Sequence, residues 1–244
     1  MNLKDKKVLV TGASSGIGQA IAIACAEKGA EVFIHYHKNK EGAEKTLAEV
    51  NKHSSGKIIQ ADLMFPDNVV AMFKEIDTPL DCLVNNAGDA KGGDFFQNDI
   101  WAYEFANIFF SAVYCSRNFL QQNEKATLRK IVNIASIYGN LEGASVNIDY
   151  AAYSAAKAAL ENLTVTLAKQ GKEVLVNAIA PGRVKTPAWG EMNESEIKEE
   201  TDDAIIKRFI RPEEIAHSAV YLLENDAVTG QVLTVDGGIL LKAI

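Results

Sequence analysis

One tyrosine and one lysine in the second half of the sequence have the spacing that proton-transfer chemistry would use. Tyr153 and Lys157 are four residues apart, so on a helix they share a face. A tyrosine hydroxyl has an ordinary pKa of about 10, and a neighbouring ammonium group favours the phenolate and lowers that pKa. Ser136 stands at the end of a predicted strand and can donate a hydrogen bond to a reacting oxygen. Taken alone, the Tyr-x-x-x-Lys pair is more typical of an ordinary helix surface.

A glycine-rich turn near the start of the chain has the composition of a phosphate-binding loop. Gly12 permits a tight turn, while Gly16 and Gly18 let the backbone approach a pyrophosphate and pack helix against strand. The N-terminus of the helix that follows offers N–H groups and a partial positive charge to an anion. The spacing is G-x-x-x-G-x-G rather than G-x-G-x-x-G, and a turn that only joins strand to helix is the alternative. The position after the first strand favours ligand binding.

The elements that must position these motifs alternate along the chain. Short β-branched runs are followed by longer helical patterns, which predicts βαβ units and a parallel sheet. Predicted strands cover residues 7–10, 31–36, 57–60, 81–84, 130–135, 173–179 and 231–235. Predicted helices cover residues 16–28, 40–52, 66–75, 99–123, 150–170 and 212–223. The sequence therefore predicts one α/β domain over residues 1–244, a Rossmann fold with a doubly wound, seven-stranded parallel sheet flanked by helices.

Composition narrows the classes of function. The 244 residues carry a formal net charge of −7, which argues against a nucleic-acid-binding surface because such a surface is basic. No apolar run is long enough to span a bilayer, and the first residues lack the apolar core of a signal peptide. We therefore expect no nucleic-acid or membrane partner and a cytoplasmic location. The three cysteines are expected to be buried thiols, and the four histidines lack the partners of a metal site.

Five motifs follow one another along nearly the whole chain, from Lys6 to Gly238. They are Thr11-Gly12-x-x-x-Gly16-x-Gly18, Asn85-Asn86-Ala87-Gly88, Ser136, Tyr153-x-x-x-Lys157 and Pro181-Gly182. This series resembles the classical short-chain dehydrogenase/reductase family, and within it the 3-oxoacyl-(acyl-carrier-protein) reductases most. A single glycine turn is weak evidence, whereas five motifs in register are strong evidence.

The resemblance implies a nicotinamide-dependent oxidoreductase that interconverts a carbonyl and a secondary alcohol. Hydride transfer turns a carbonyl into an alkoxide, which requires a proton donor at hydrogen-bond distance. By the family's pattern, Tyr153 is the general acid/base, Lys157 binds the nicotinamide ribose and tunes the tyrosine, and Ser136 positions the carbonyl. The substrate is then a small-molecule or acyl-thioester carbonyl compound, with 3-oxoacyl-thioester reduction as the specific expectation.

The same family pattern assigns further residues to the cofactor. The glycine turn would hold the pyrophosphate, and the segment after the second predicted strand would meet the adenosine ribose. Residues 62–63 would flank the adenine, and residues 86–88 would lie on the adenosine ribose side. The segment after the sixth strand would line the nicotinamide. The expected cofactor-binding residues are Gly12, Ser14, Ser15, Gly16, Ile17, Gly18, His37, Asp62, Leu63, Asn86, Ala87, Gly88, Tyr153, Lys157, Pro181, Gly182, Val184 and Thr186.

The choice between NADP and NAD depends on the residues that meet the adenosine ribose. An acidic residue after the second strand would bind the 2′-hydroxyl of NAD, but the chain has no carboxylate there until Glu41. His37 and Lys38 could approach a 2′-phosphate, although a solvated polar turn is the alternative. Ser15 argues against NADP, because many NADP-using relatives carry arginine at that place. NADP is the predicted cofactor, and NAD is not excluded.

Three segments depart from the family's pattern or extend it. The family often adds a catalytic asparagine on the long helix before the site, but Ile108 stands at that place. Asn107 lies about 100° further round a helix, so it would face elsewhere unless the helix start is shifted. Residues 141–149 predict an enlarged substrate-side loop. Residues 189–208 are either a lid over the site or a surface excursion, and Trp189 within them is either a substrate wall or an anchor.

Two expectations concern partners. An acyl carrier protein is acidic and would need a basic patch near the mouth of the site, unless the candidate charges are merely solvated. The candidates are Lys125, Arg129, Lys130, Lys169 and Lys172. The predicted helices 99–123 and 150–170 are unusually apolar and, with the tail 239–244, predict a homotetramer, unless they only cover the sheet.

Two rival functions stay open at this point. The chain could be a cofactor-binding regulator that keeps the fold but has lost useful catalysis. Ile108 favours this alternative, while the intact Ser136, Tyr153 and Lys157 oppose it. It could also be an enoyl-thioester reductase, although those relatives space the tyrosine and lysine more widely.

Overall fold

A computed structural model describes residues 1–122, 128–140, 143, 147–171 and 173–241. The strands are β1 (Lys7–Val10), β2 (Glu31–Tyr36), β3 (Gly56–Gln60), β4 (Cys82–Asn85), β5 (Arg129–Ile134), β6 (Val174–Pro181) and β7 (Val232–Val235). The helices are α1 (Gly16–Glu27), α2 (Lys40–Val50), α3 (Pro66–Ile76), α4 (Asn98–Glu104), α5 (Ser111–Gln121), α6 (Ala151–Gln170), α7 (Glu194–Thr201) and α8 (Pro212–Glu224). A π-helical turn, Phe105–Phe110, joins α4 to α5.

The seven strands form one parallel sheet, which confirms the predicted fold class. Their order is β3-β2-β1-β4-β5-β6-β7, and neighbouring strands run parallel, as in the pairing of Val10 with Ile34 and with Val84. The chain moves outward in one direction from β1 to β3 and in the other from β4 to β7. In such sheets the crevice at the carboxyl ends of the strands, where the order reverses, is the usual ligand site.

Alternation along the central strands builds one apolar layer on each side of the sheet. Val8 and Val10 of β1 face the layer formed with α1 and α8, where Ile21 and Leu222 are buried. Leu9 between them faces the opposite layer, which α3 and α5 complete. Because side chains alternate between the two faces of a strand, both faces are covered, as the continuously apolar runs predicted.

The bounds of the elements differ from prediction by a few residues, with two informative exceptions. The helix predicted over residues 99–123 is interrupted by the π-helical turn Phe105–Phe110, and its predicted end at Asn123 lies outside the described residues. The polar segment 189–208 contains α7, whose first turn is held by a capping box between Asn193 and Glu196. A π-helical turn adds a residue to one helical turn and is often found at functional sites.

The three cysteines are buried, as predicted. In the described part of the chain no helix has both the length and the apolar character needed to cross a membrane. Those same residues contain no group of three or more histidine, cysteine, aspartate or glutamate side chains placed to hold a metal ion.

Candidate active site

Ser136, Tyr153 and Lys157 meet at the carboxyl end of β5. Ser136 lies two residues after the end of that strand and is 8% exposed, and Lys157 is 4% exposed. The Lys157 Nζ donates a hydrogen bond of 2.7 Å to the carbonyl oxygen of Ile134 and lies 5.7 Å from the centroid of the Tyr153 ring. One turn of α6 separates the tyrosine from the lysine, so the shared face that the spacing predicted is present.

Burial controls the proton affinities of this group. It raises the pKa of Tyr153 to about 12, and the hydrogen bond that Ser136 donates to the Tyr153 oxygen opposes that shift. Burial lowers the pKa of Lys157 to about 8, while the charges of Glu104 and Glu161 oppose that lowering. The expectation that Lys157 lowers the tyrosine pKa is therefore wrong for the protein chain alone. The reason is that loss of hydration disfavours the phenolate, the charges of Glu104 and Asp89 disfavour it further, and the hydrogen bond from Ser136 does not outweigh them.

The glycine turn forms a cradle beside this group that side chains would fill. Gly12 and Gly16 adopt positive φ angles of 63° and 56°, a region that other residues rarely enter. A Cβ at Gly18 would lie 2.4 Å from the carbonyl oxygen of Gly12. Ser15 precedes α1 without a side-chain capping bond, so its side chain does not occupy the first N–H groups of the helix. Those N–H groups are the ones that an anion at the turn would bind. The remaining predicted turn residues, Ser14 and Ile17, lie within the same stretch.

His35 supports the glycine turn and was missed by the sequence analysis. Its ring is 2% exposed, its Nδ1 accepts a hydrogen bond of 3.0 Å from the N–H of Gly12, and its Nε2 lies 3.1 Å from the carbonyl oxygen of Ala61, to which it donates. Burial lowers its pKa to about 4, so the ring is neutral near pH 7. The available signal was a histidine inside the otherwise apolar strand β2.

The segment after β4 is tied to the same turn. The Asn86 side chain donates to the carbonyl oxygens of Thr11 at 2.9 Å and Gly12 at 3.1 Å. The Oγ1 of Thr11 accepts from the backbone N–H groups of Asn86 and Ala87. Gly88 follows with a φ of 131°, and a Cβ there would lie 3.1 Å from Ile108. The predicted ribose-side segment therefore connects the glycine turn to the π-helical turn.

A groove lies at the ends of β2 and β3, where adenosine was predicted. His37 and Asp62 lie side by side in its lining, with 3.6 Å between Nε2 and Oδ2. Its lining residues are His35, His37, Lys38, Asp62, Leu63, Met64, Ala87, Tyr103 and Asn107. Tyr103 and Asn107 were not predicted to belong here. They reach the groove because the helix before the site passes over it.

The segment after β6 closes the other end of the crevice. The N–H of Gly182, next to Pro181, donates to Val235 of β7. Thr186 lies against the glycine turn, since a Cβ at Gly16 would be 3.2 Å from its Cγ2. The residues predicted to line the nicotinamide, Pro181, Gly182, Val184 and Thr186, thus lie in one segment, whose Thr186 contacts the glycine turn.

Trp189 acts as an anchor for the segment that follows. Its Nε1 donates a hydrogen bond of 2.8 Å to the carbonyl oxygen of Val184, and its ring packs edge-on to Phe209 at 4.9 Å between centroids. Of the two roles considered for this tryptophan, the contacts support the anchor. They fix the start of residues 189–208 to the segment that lines the crevice.

Neither Ile108 nor Asn107 supplies an amide side chain to the catalytic group. Ile108 is 1% exposed and packs with Ala156, Leu160 and Tyr153. The Asn107 side chain donates to Asp89 Oδ1 at 2.7 Å and lines the groove at the ends of β2 and β3. The π-helical turn therefore does not bring Asn107 round to Tyr153.

The predicted basic patch is not formed by the residues that the structure describes. Lys130 is 1% exposed and pairs with Asp226 at 2.8 Å. Arg129 is buried and donates to the carbonyl oxygen of Phe119 at 3.0 Å. Both lie at the amino end of β5, whereas Ser136 follows its carboxyl end, so they cannot border the site. Of the other candidates, Lys169 lies exposed near the end of α6, and Lys125 and Lys172 lie outside the described residues.

The predicted enlarged loop lies partly outside the described residues, which omit Leu141, Glu142 and 144–146. Its described end reaches the crevice. The Asp149 carbonyl oxygen accepts a hydrogen bond from the Gly93 N–H at 2.9 Å, and a Cβ at Gly92 would lie 3.3 Å from the Tyr150 ring.

Comparisons with known proteins agree on one family. Residues 12–240 match a family model described as enoyl-(acyl carrier protein) reductase. The chain is 35% identical to the uncharacterized oxidoreductase YohF of Escherichia coli, over 96% of this chain and 95% of the relative. It is 32% identical to the 3-oxoacyl-[acyl-carrier-protein] reductase FabG of Staphylococcus epidermidis, over 96% and 98%. The structure superimposes on an actinorhodin polyketide ketoreductase with NADPH at a TM-score of 0.85 and 30% identity, covering 96% and 97% of the two chains.

Proposed function

This chain belongs to the classical short-chain dehydrogenase/reductase family, and we propose that it is an NADPH-dependent reductase that converts a carbonyl group into a secondary alcohol. The observation that carries the proposal is the meeting of Ser136, Tyr153 and Lys157 beside a glycine cradle. A phenol, a hydroxyl and an ammonium group around one point can hold an oxygen and give it a proton.

The side chains suit the reductive direction. When bound, NADPH supplies a hydride to the carbonyl carbon. Ser136 donates a hydrogen bond to the carbonyl oxygen, and Tyr153, whose pKa of about 12 keeps it protonated near neutrality, gives that oxygen its proton. Lys157 would bind the nicotinamide ribose, and its ammonium charge would stabilise the phenolate that Tyr153 becomes when it gives up its proton. Gly12, Gly16 and Gly18 leave room for the pyrophosphate at the start of α1.

NADP is favoured over NAD by the groove after β2. His37 and Lys38 line it, and each can carry positive charge toward a 2′-phosphate. The solved ketoreductase relative holds NADPH, which supports the same choice. We expect the affinity for NADPH to exceed that for NADH, and to fall at least several-fold in Lys38→Met, as judged by titrating cofactor fluorescence. Equal affinities would support NAD instead.

The substrate class is proposed to be a 3-oxoacyl thioester or a similar small carbonyl compound. The likeness to the reductase FabG supports a 3-oxoacyl thioester. The description of the matching family model supports a second candidate, reduction of an enoyl thioester. Initial rates of NADPH oxidation with acetoacetyl and crotonyl coenzyme A separate the two. Turnover with acetoacetyl coenzyme A alone supports the carbonyl assignment, and turnover with crotonyl coenzyme A alone contradicts it.

A paired substitution tests whether the site is catalytic or only binds cofactor. Tyr153→Phe should abolish turnover, while Tyr221→Phe should not, because Tyr221 is 50% exposed on α8. Both variants should bind NADPH as the native protein does. Absence of turnover from the native protein across a panel of carbonyls and alcohols, with cofactor binding intact, would support the regulator instead.

The active protein is proposed to be a cytoplasmic homotetramer formed partly through the helices before and after β5. Phe110 is 42% exposed, and its ring lies 5.3 Å from Phe109 and 6.1 Å from Tyr114, so an aromatic strip faces outward. Leu241, near the end of the described chain, is 71% exposed. Light scattering at micromolar concentration checks this, and a monomeric mass would contradict it.

Residues 189–208 are proposed to form a substrate lid within the single domain. Arg183, in the segment expected to line the nicotinamide, pairs with Glu200 at 3.3 Å and also with Asp203. Movement of that segment would therefore be passed to α7. Slower proteolysis within residues 189–208 after NADPH addition would support the lid, and an unchanged rate would contradict it.

A further inference from the structure

Glu104 is a buried acid next to the catalytic group that the proposed mechanism does not use. It ends α4 and is 0% exposed. Its Oε1 accepts hydrogen bonds from the backbone N–H groups of Lys91 at 2.8 Å and Gly92 at 3.1 Å. Its Oε2 is buried and has no hydrogen-bond partner among the described residues. A carboxylate is costly to bury unless a charge or hydrogen bonds compensate. The buried Oε2 therefore requires a compensating group nearby.

Glu104 lies on the side of its helix that faces α6. Glu104 lies one turn before Ile108, and Ile108 packs with Ala156 and Tyr153 of α6. Residues four apart on a helix share a face, which directs Glu104 toward the same part of α6. Lys157 is on that part of α6 and is itself buried. Burial raises the pKa of Glu104 and lowers the pKa of Lys157, and the charge of each group opposes the shift of the other.

We propose that Glu104 is a positioning residue for the reductase site: its carboxylate keeps Lys157 in the ammonium form, and its hydrogen bonds fix the backbone of residues 91–92. The inference rests on the proposed function. In this chain the helix that approaches the site carries Ile108 where the family often has asparagine. A buried carboxylate one turn earlier supplies a polar group at that side of the site.

The direction of the electrostatic effect is fixed by the groups that face one another. Burial lowers the pKa of Lys157, and the charges of Glu104 and Glu161 oppose that lowering. Burial raises the pKa of Tyr153, and Glu104, Tyr138 and Asp89 raise it further.

Reduction requires Tyr153 as a phenol and Lys157 as an ammonium. Loss of the Glu104 charge lowers both of these pKa values. In a variant without the Glu104 charge, the loss of activity on the basic side should therefore begin at a lower pH than in the native protein.

The test is the pH dependence of kcat/KM for NADPH-dependent reduction in Glu104→Gln. The amide oxygen can still accept from residues 91 and 92, whereas the charge is gone. We expect the basic limb to move down by about one pH unit, the size of a neighbouring-charge effect. Glu104→Asp, which keeps the charge, should leave the limb in place even if kcat falls. Asp99→Asn is the matched control, because Asp99 is exposed on the same helix and its loss changes net charge equally.

A merely structural role for Glu104 would lower the rate of Glu104→Gln without moving the limb, and that result would overturn the proposal. A shift of the basic limb of equal size in Asp99→Asn would also overturn it.

A second measurement needs no substrate, so it separates failure of this inference from failure of the proposed function. In protein labelled with ¹³C at the glutamate side-chain carboxyls, the Glu104 resonance is the one absent from Glu104→Asp. Its titration midpoint should rise by about one pH unit in Lys157→Met, because the ammonium that favours the carboxylate is removed. An unchanged midpoint would overturn the proposal even if Glu104→Gln failed to fold.

Discussion

Acid should destabilise this protein through His35. Protonation of its ring would remove the acceptor for the Gly12 N–H, which lies 3.0 Å from Nδ1, and would place a charge in a ring that is 2% exposed. Burial lowers the folded-state pKa from 6.5 to about 4. The unfolded chain therefore binds a proton between these two values that the folded chain does not. The stabilisation is fully present above pH 6.5 and is lost as the pH falls toward 4.

The size of the effect follows from the shift. A lowering from 6.5 to about 4 corresponds to roughly 3 kcal/mol of unfolding free energy, at about 1.4 kcal/mol per pKa unit. That is a large part of the 5 to 15 kcal/mol or so by which folded proteins are usually stable.

Urea unfolding at several pH values between 7.5 and 4.5 measures this contribution. Carboxylates also titrate in that range, so the informative quantity is the difference between the native protein and His35→Gln, which lacks the titrating ring. We expect the native protein to lose about 2 to 3 kcal/mol more than the variant across this range. His53→Gln is the matched control, because His53 is exposed and its loss should leave the slope unchanged. Parallel curves for the native protein and His35→Gln would refute the reasoning.

Three further substitutions have expected outcomes. Tyr153→Phe should lower kcat by at least about 100-fold, because it removes the proton donor, with NADPH affinity unchanged by fluorescence titration; retained turnover would contradict the assignment. Gly18→Ala should weaken NADPH binding and lower the Tm, since its Cβ would lie 2.4 Å from the Gly12 carbonyl oxygen; native-like binding and Tm would show that the turn can relax. Trp189→Phe loses the hydrogen bond to Val184, so KM should rise at a stability cost of about 1 kcal/mol; an unchanged KM would place the anchor outside the substrate path.

The parallel sheet and the catalytic helix were predictable because their signals are local. Strands buried on both faces are apolar throughout, and the alternation with helices leaves a parallel order as the simplest solution. Tyr153 and Lys157 needed only helical spacing to share a face. The glycine turn was predictable from Gly12, Gly16 and Gly18, because a turn whose backbone must approach a pyrophosphate closely has no room for side chains.

Charge and burial at single positions were not predictable in this way. Lys130 looked like a surface charge, but it is buried against Asp226, which is 96 positions further along the chain. The expected fall in the Tyr153 pKa assumed a solvated pair, whereas the fold partly buries the phenol. Spacing along the chain contains no measure of how much water a site retains, and hydration decides the sign of such shifts.

The roles of His35 and Glu104 likewise arise only from the assembled fold. Each accepts hydrogen bonds from backbone groups that lie 12 to 23 residues away, and nothing in its immediate neighbours distinguishes it from an ordinary polar residue. The amino-acid sequence alone established the family's motifs, the parallel sheet and the acid–base pair, because short-range geometry suffices for them. Which polar groups lose their water, and which partners compensate them, was decided by tertiary packing, because only packing brings distant segments within hydrogen-bond distance.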